Sequence, residues 1–174
     1  EYGHNHFGEN KVQEAVTKWK LEKVKNENLK LHMIGKLQNN KAKNAVELFD
    51  YIHSLDNQKL ADNLSQIEQN FNKSIKYFIQ VNIGNESQKS GIPISELESF
   101  YNYCTKEKNL NVQGLMVIPP NDNNAKKYFE ILNEQNKLLG LNELSMGMSA
   151  DYNDAVINDA TFLRIGSSIF GPRS

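Results

Sequence analysis

LSMGMSADYNDAVINDATFLRIGSSIFG, residues 144–171, carries the reading of the fold. It holds two strand-like runs, 143–148 and 161–165, and each passes straight into small residues: Ser149 after the first, Gly166 and Ser167 after the second. Glycine lets backbone N–H groups approach an anion and serine adds a hydroxyl donor. A helix opening at Ser149, or just beyond Gly166, would aim its positive end at the same point. Loops of this kind suit a bound phosphate. Their position is also right if the two runs are the last strands of a (β/α) barrel, because such barrels hold phosphate in the loops after strands seven and eight, beside a short extra helix.

The same alternation extends upstream to the start of the chain. Strand-like runs at 29–34, 51–55, 77–83 and 112–118 each precede a segment with apolar residues on one helical face. Those faces carry Ala42, Ala45, Val46 and Phe49; then Leu60, Leu64, Ile67 and Phe71; then Leu97, Phe100, Tyr101 and Cys104; then Ala125, Tyr128, Phe129 and Leu132. An earlier face, Val12, Ala15, Val16 and Trp19, follows Phe7-Gly8-Glu9-Asn10. Ser95 with Glu98 reads as a capping box, and Gly140 as a helix C-cap. Repeated βα units define an α/β class with a mostly parallel sheet. The alternative, an open doubly wound sheet, lacks its Gly-rich dinucleotide fingerprint after any early strand.

The expected architecture is therefore a single domain, residues 1–174, folded as a (β/α)8 TIM-type barrel. The runs amount to about six strands and the tail of a seventh at residues 2–6, in a chain of 174 residues against roughly 250 for a typical barrel. The expectation is a barrel lacking its first strand and helix, with unpaired strand edges and hence poor solubility or partial disorder.

Bulk properties narrow the function. With 39% hydrophobic and 24% charged residues and a formal net charge of -1, the chain has the composition of a globular domain and no global attraction for nucleic acid or an anionic membrane. Its lone cysteine, Cys104, permits no internal disulfide, so a reducing cytoplasm is the expected compartment. Cys104 lies on an apolar stripe and reads as core. No apolar run approaches the roughly 20 residues that span a bilayer, and no signal peptide opens the sequence.

In a parallel barrel, functional groups collect where strands end. That rule selects Glu9, Asn10, His32, Lys36, Gln38, Asn82, Met116, Ser149, Arg164, Gly166 and Ser167. Arg164 sits inside Phe162-Leu163-Arg164-Ile165, where alternation sends it to the side opposite Leu163 and Ile165. An arginine pointing into a barrel needs an electron-rich partner; one pointing out pairs with a helix carboxylate. Glu9 and Asn10 suit either ligand contact or capping, His32 reads as a hydrogen-bonded core histidine, and Lys36 as an exposed lysine at a helix start. The four histidines show no metal-ligand spacing, and no nucleophile elbow or Walker loop is present.

Seven motifs in order resemble one family along essentially the whole chain: FGENKVQEA (7–15), HMIGKLQNNKAK (32–43), SLD (54–56), VNIGNESQKSGI (81–92), GLMVIPP (114–120), LSMGMSADYNDA (144–155) and RIGSSIFGPR (164–173). The chain resembles the pyridoxal phosphate homeostasis proteins, single-barrel relatives of the alanine racemase N-terminal domain that bind pyridoxal 5'-phosphate (PLP). The resemblance implies a carrier and regulator of vitamin B6 without accepted turnover, monomeric and cytoplasmic, with PLP-dependent enzymes as possible recipients. It further implies that Ser149, Gly166 and Ser167 hold the phosphate, that Arg164 faces the pyridine nitrogen, and that Asn10 and Met116 line the pocket near the ring. In the family a lysine near the end of the first strand forms a Schiff base with PLP. That lysine is expected upstream of residue 1; Lys36 falls where the family varies and does not inherit the role. The rival implied by the same superfamily is an amino-acid racemase or decarboxylase. A barrel acting on another phosphorylated metabolite would share the phosphate loops but not the ordered motifs.

Overall fold

The computed structural model describes residues 3–86 and 88–171; Tyr2, Ser87, Pro172 and Arg173, which belong to stretches singled out above, lie outside them. Among the described residues, seven strands form one parallel sheet in strict chain order: β1 (His6–Glu9), β2 (Lys30–Met33), β3 (Tyr51–Leu55), β4 (Lys76–Gln80), β5 (Asn111–Met116), β6 (Glu143–Met148) and β7 (Phe162–Arg164). A doubly wound sheet reverses its strand order at a switch point. This one never does, and it curls into a nearly closed barrel. β1 and β7 end the order, and the Phe162 ring of β7 lies 6.3 Å from His6 of β1, so the two ends face each other across a filled interior.

Helices α1 (Val12–Lys25), α2 (Ala42–Leu48) after a 3-10 turn at Asn39–Lys41, α3 (Gln58–Phe71), α4 (Ile94–Asn102), α5 (Ala125–Leu138) and α6 (Tyr152–Ile157) connect the strands on the outside, and a short α7 (Ser167–Phe170) follows β7. Strand side chains alternate between two faces. Leu31, Met33, Ile52, Tyr77, Ile79, Leu115, Val117, Leu144 and Met146 face the helices, where Ala42, Ala45, Leu64, Leu97, Phe129 and Leu132 complete a dry core. Cys104 belongs to that core, in a π-helical segment that prolongs α4, and burial pushes its thiol up to about 12.

The inward faces are unusual in composition. Barrel interiors are dominated by branched aliphatic residues, whereas here rings fill the space: His32 stacks on Tyr51 at 4.2 Å, His53 stacks on Phe78 at 4.3 Å, and Phe162 meets His53 and Phe78 edge-on.

Some local expectations need correction. The first strand is His6–Glu9 rather than a tail ending at His6, because Asn5 and Glu9 both bond to the β2 side through Lys30 N and Ile34 N. Gly8 interrupts its apolar pattern, which is why Phe7-Gly8-Glu9 reads as a turn. Ser95 makes no capping bond: α4 opens one residue before it, with Pro93 at the cap position, its ring already holding φ at -58°. Gly140 does terminate α5, at φ +68°, with Leu141 N bonded to Asn136 O.

Candidate functional site

The segments that follow the strands gather at one end of the barrel. On the side of β1, β2, β4 and β5 they enclose a cavity of about 360 Å³ lined by Asn10, Lys36, Gln80, Asn82, Lys89 and Pro120, among others. Gly35 fixes Asn10 there by close approach, since a Cβ at Gly35 would lie 2.3 Å from the Asn10 carbonyl oxygen. The Asn82 carboxamide is clasped by Glu86, donating to its carbonyl at 2.9 Å and accepting from its N–H at 3.2 Å. Lys89 pairs with the Glu86 carboxylate at 2.7 Å.

On the side of β6 and β7 two short loops meet. Gly147 has φ +89°, and a Cβ there would lie 2.5 Å from the Ala155 Cβ, so α6 folds down directly onto the end of β6. The Asp151 carboxylate accepts from Met148 N at 2.6 Å and draws residues 149–151 into a turn. That turn delays the helix: α6 opens at Tyr152, three residues after the expected start at Ser149. The second helix starts where expected, α7 opening at Ser167 directly after Gly166. Ser168 N donates to Ser149 Oγ at 3.3 Å, which brings the two loops together. Around Gly166 the space a side chain would take is open.

Arg164 lies beneath these loops and points into the barrel. Its Nη1 donates to Ser145 Oγ at 2.9 Å and its Nη2 to the Val117 carbonyl at 2.7 Å, both neutral acceptors. It makes no ion pair among the described residues. Burial pulls its pKa down to about 10, which leaves it cationic at neutral pH. A half-buried cation that hydrogen-bonds only neutral acceptors, with further N–H groups to spend and the Asp151 carboxylate acting on it without a hydrogen bond, has donors left for another electron-rich neighbour.

The remaining candidates divide. Asn10, Lys36 and Asn82 line the cavity, whereas Gln38 is exposed at the start of the 3-10 turn. Glu9 is directed to α1, accepting from Trp19 Nε1 at 2.5 Å and pairing with Lys18 at 2.9 Å, so its carboxylate serves the helix packing. Met116 is fully buried, its backbone in register with Ser145, and does not line the cavity. His32 is the buried, hydrogen-bonded histidine expected, bonded to His6 and His53. Sequence reasoning missed His53 and Ser145; the available signal was a polar residue at inward-facing positions of successive strands.

A parallel α/β barrel with paired serine loops over a half-buried, inward-pointing arginine, at the ends of its last two strands, defines a class built to hold a phosphorylated ligand. The family model of the alanine racemase N-terminal domain matches residues 1–174, and the chain belongs to that family. It is similar to the pyridoxal phosphate homeostasis proteins of Pasteurella multocida, 38% identical over 98% of this chain and 78% of that protein, and of Aquifex aeolicus, 38% identical over 96% of this chain and 76% of that one. Among solved structures it resembles PipY of Synechococcus elongatus with PLP bound, at a TM-score of 0.88 and 37% identity, covering 97% of this chain and 82% of PipY. Alanine racemase of Clostridium difficile, at 13% identity and a TM-score of 0.68, shares the fold.

Proposed function

We propose that this chain is a PLP-binding protein of vitamin B6 homeostasis, which holds and releases the cofactor rather than turning over a substrate. The observation that carries the reading is Arg164: a half-buried cation whose hydrogen bonds go only to neutral acceptors, under two converging serine loops, in a chain closely related to a protein known with PLP bound. Ser149, Gly166 and Ser167 hold the phosphate, and the open space at Gly166 suits it. Arg164 faces the pyridine nitrogen. Asn10 at the rim flanks the ring, whereas Met116, fully buried in the wall, does not reach it.

PLP supplies an electron sink for carbanion chemistry when it is bound. Arg164 weakens that capacity, because a permanent cation that donates to the ring nitrogen keeps this nitrogen unprotonated. The chain's residues thus bind and orient the cofactor while restraining its reactivity, as a carrier requires. The names of the relatives support the same role. We read the protein as a monomer that works in the cytoplasm; among the described residues no helix is long and apolar enough to cross a membrane. The recipients are PLP-dependent enzymes.

The test uses the PLP-loaded chain, an apo PLP-dependent enzyme and, separately, L-alanine. The expected result is enzyme activity restored in proportion to the PLP delivered, and L-alanine racemised no faster than by the same amount of free PLP. Racemisation well above free PLP would instead establish a racemase.

A further inference from the structure

A single line of hydrogen bonds runs through the barrel from Arg164 to its opposite rim. Arg164 Nη1 meets Ser145 Oγ at 2.9 Å, and Ser145 Oγ meets His53 Nδ1 at 2.7 Å. His53 Nε2 meets His32 Nδ1, and His32 Nε2 meets His6 Nδ1, each at 2.9 Å. The participants come from β7, β6, β3, β2 and β1 in turn. Ser145, His53 and His32 are buried; His6, the first residue of β1, is exposed.

The hydrogens on this line have one arrangement that uses all of them. Arginine only donates, and a neutral imidazole donates from one nitrogen and accepts at the other. If Ser145 accepts from Arg164 and gives its own proton to His53 Nδ1, then His53 donates from Nε2 to His32, His32 donates from Nε2 to His6, and the last N–H reaches solvent. In the reverse arrangement Ser145 would accept from both Arg164 and His53. Its hydroxyl hydrogen would then be buried without a partner, since Ser145 Oγ forms no other hydrogen bond among the described residues. Arg164 therefore sets the direction of the whole line.

The line is also uncharged up to Arg164. Burial, His32 and Arg164 hold His53 well below the ordinary imidazole range, and burial together with His6 lowers His32 to about 3. At the rim His4, Lys30 and Lys76 also oppose protonation and Asp50 alone favours it.

We propose that Ser145 and His53, backed by His32 and His6, are positioning residues for Arg164: the neutral relay turns the lone pair of Ser145, and not its hydrogen, toward the guanidinium. The guanidinium is a rigid planar fork. With Nη1 held by Ser145 and Nη2 by the Val117 carbonyl, the fork is held at two points, and its remaining N–H groups are left for the ring nitrogen of a bound PLP. This assignment rests on the PLP reading above.

Two measurements keep the two ideas separable. Side-chain ¹⁵N spectra of the PLP-free chain at pH 7 should show His32 and His53 neutral, with hydrogen on Nε2 in both. An Nδ1–H or a cationic ring at His53 overturns the relay whatever PLP does. The second measurement titrates PLP labelled with ¹⁵N at the ring nitrogen. Ser145→Ala and His53→Leu should shift its signal and weaken binding about tenfold. Ser145→Thr and His53→Asn, which keep the hydroxyl and an acceptor for it, should restore both. A ring-nitrogen signal that Ser145→Ala leaves in place, or that the conservative variants fail to restore, overturns the positioning role. If the tautomers are as described and the wild-type chain does not bind PLP, the PLP reading fails and the assignment of Arg164 to the ring nitrogen fails with it, while the relay itself stands.

Discussion

Between pH 7 and pH 4 this chain should lose stability more steeply than its carboxylates alone provide, and His32→Phe should flatten the loss. In the unfolded chain an imidazole titrates near 6.5, whereas in the fold His32 is lowered to about 3 and His53 is also depressed, both chiefly by burial. Above 6.5 both rings are neutral folded or unfolded and contribute no slope. Below it the unfolded chain binds protons that the native state refuses, so stability falls as pH falls, by up to about 1.4 kcal/mol per pH unit for each ring. For His32 alone, two units amount to on the order of 3 kcal/mol, a large share of a small domain's stability, and His53 adds in the same sense. Buried Glu68 acts in the opposite sense, since its pKa is raised chiefly by burial and protonation favours its native form. Urea midpoints at pH 7, 6, 5 and 4 check this: the wild-type curve should steepen below 6.5 relative to His32→Phe. Parallel curves would show that the interior rings are not the source.

The second large effect is expected at Gly147. Gly147→Ala puts a side chain at φ +89° and a Cβ 2.5 Å from the Ala155 Cβ, with Leu163 at 3.0 Å. Left-handed strain of about 1–2 kcal/mol and overpacking of about 1–3 kcal/mol give a loss of about 3 kcal/mol. Because α6 must move off the end of β6, Ser149 moves with it, and PLP affinity should fall together with the urea midpoint. Gly140→Ala is the control: its φ is +68° but nothing lies within 4 Å, so only the strain remains, at about 1 kcal/mol. Equal losses in the two variants would mean that contact between α6 and β6 does not hold the loop.

The barrel was legible because its signal repeats. The first five helices show apolar residues at helical spacing, every strand but the first is a short β-rich run, and strands in chain order leave little topological choice. Arg164 was legible for a related reason, since alternation within Phe162-Leu163-Arg164-Ile165 decided its side. Errors fell where one interaction outweighs a pattern: Pro93 displaced the Ser95 cap, and the Asp151 carboxylate delayed α6. The interior relay was hidden for a deeper reason. His32, His53 and Ser145 stand on three different strands, and only the stagger of the curled, nearly closed sheet brings them into line. Nothing in the local sequence around any one of them reports the other two.

The most direct test of the central claim is an equilibrium titration of this chain with PLP and with pyridoxal, its counterpart without the phosphate, repeated on Gly166→Ala. The Gly166 backbone has φ -126° and open space around it, so the substitution should leave the urea midpoint in place while its methyl group obstructs an approaching phosphate. The account predicts that PLP binds about a hundredfold or more tightly than pyridoxal, as two charge-assisted hydrogen bonds to the phosphate require, and that Gly166→Ala removes most of the difference. Equal affinities for the two compounds, or a preference that Gly166→Ala leaves intact, would contradict it.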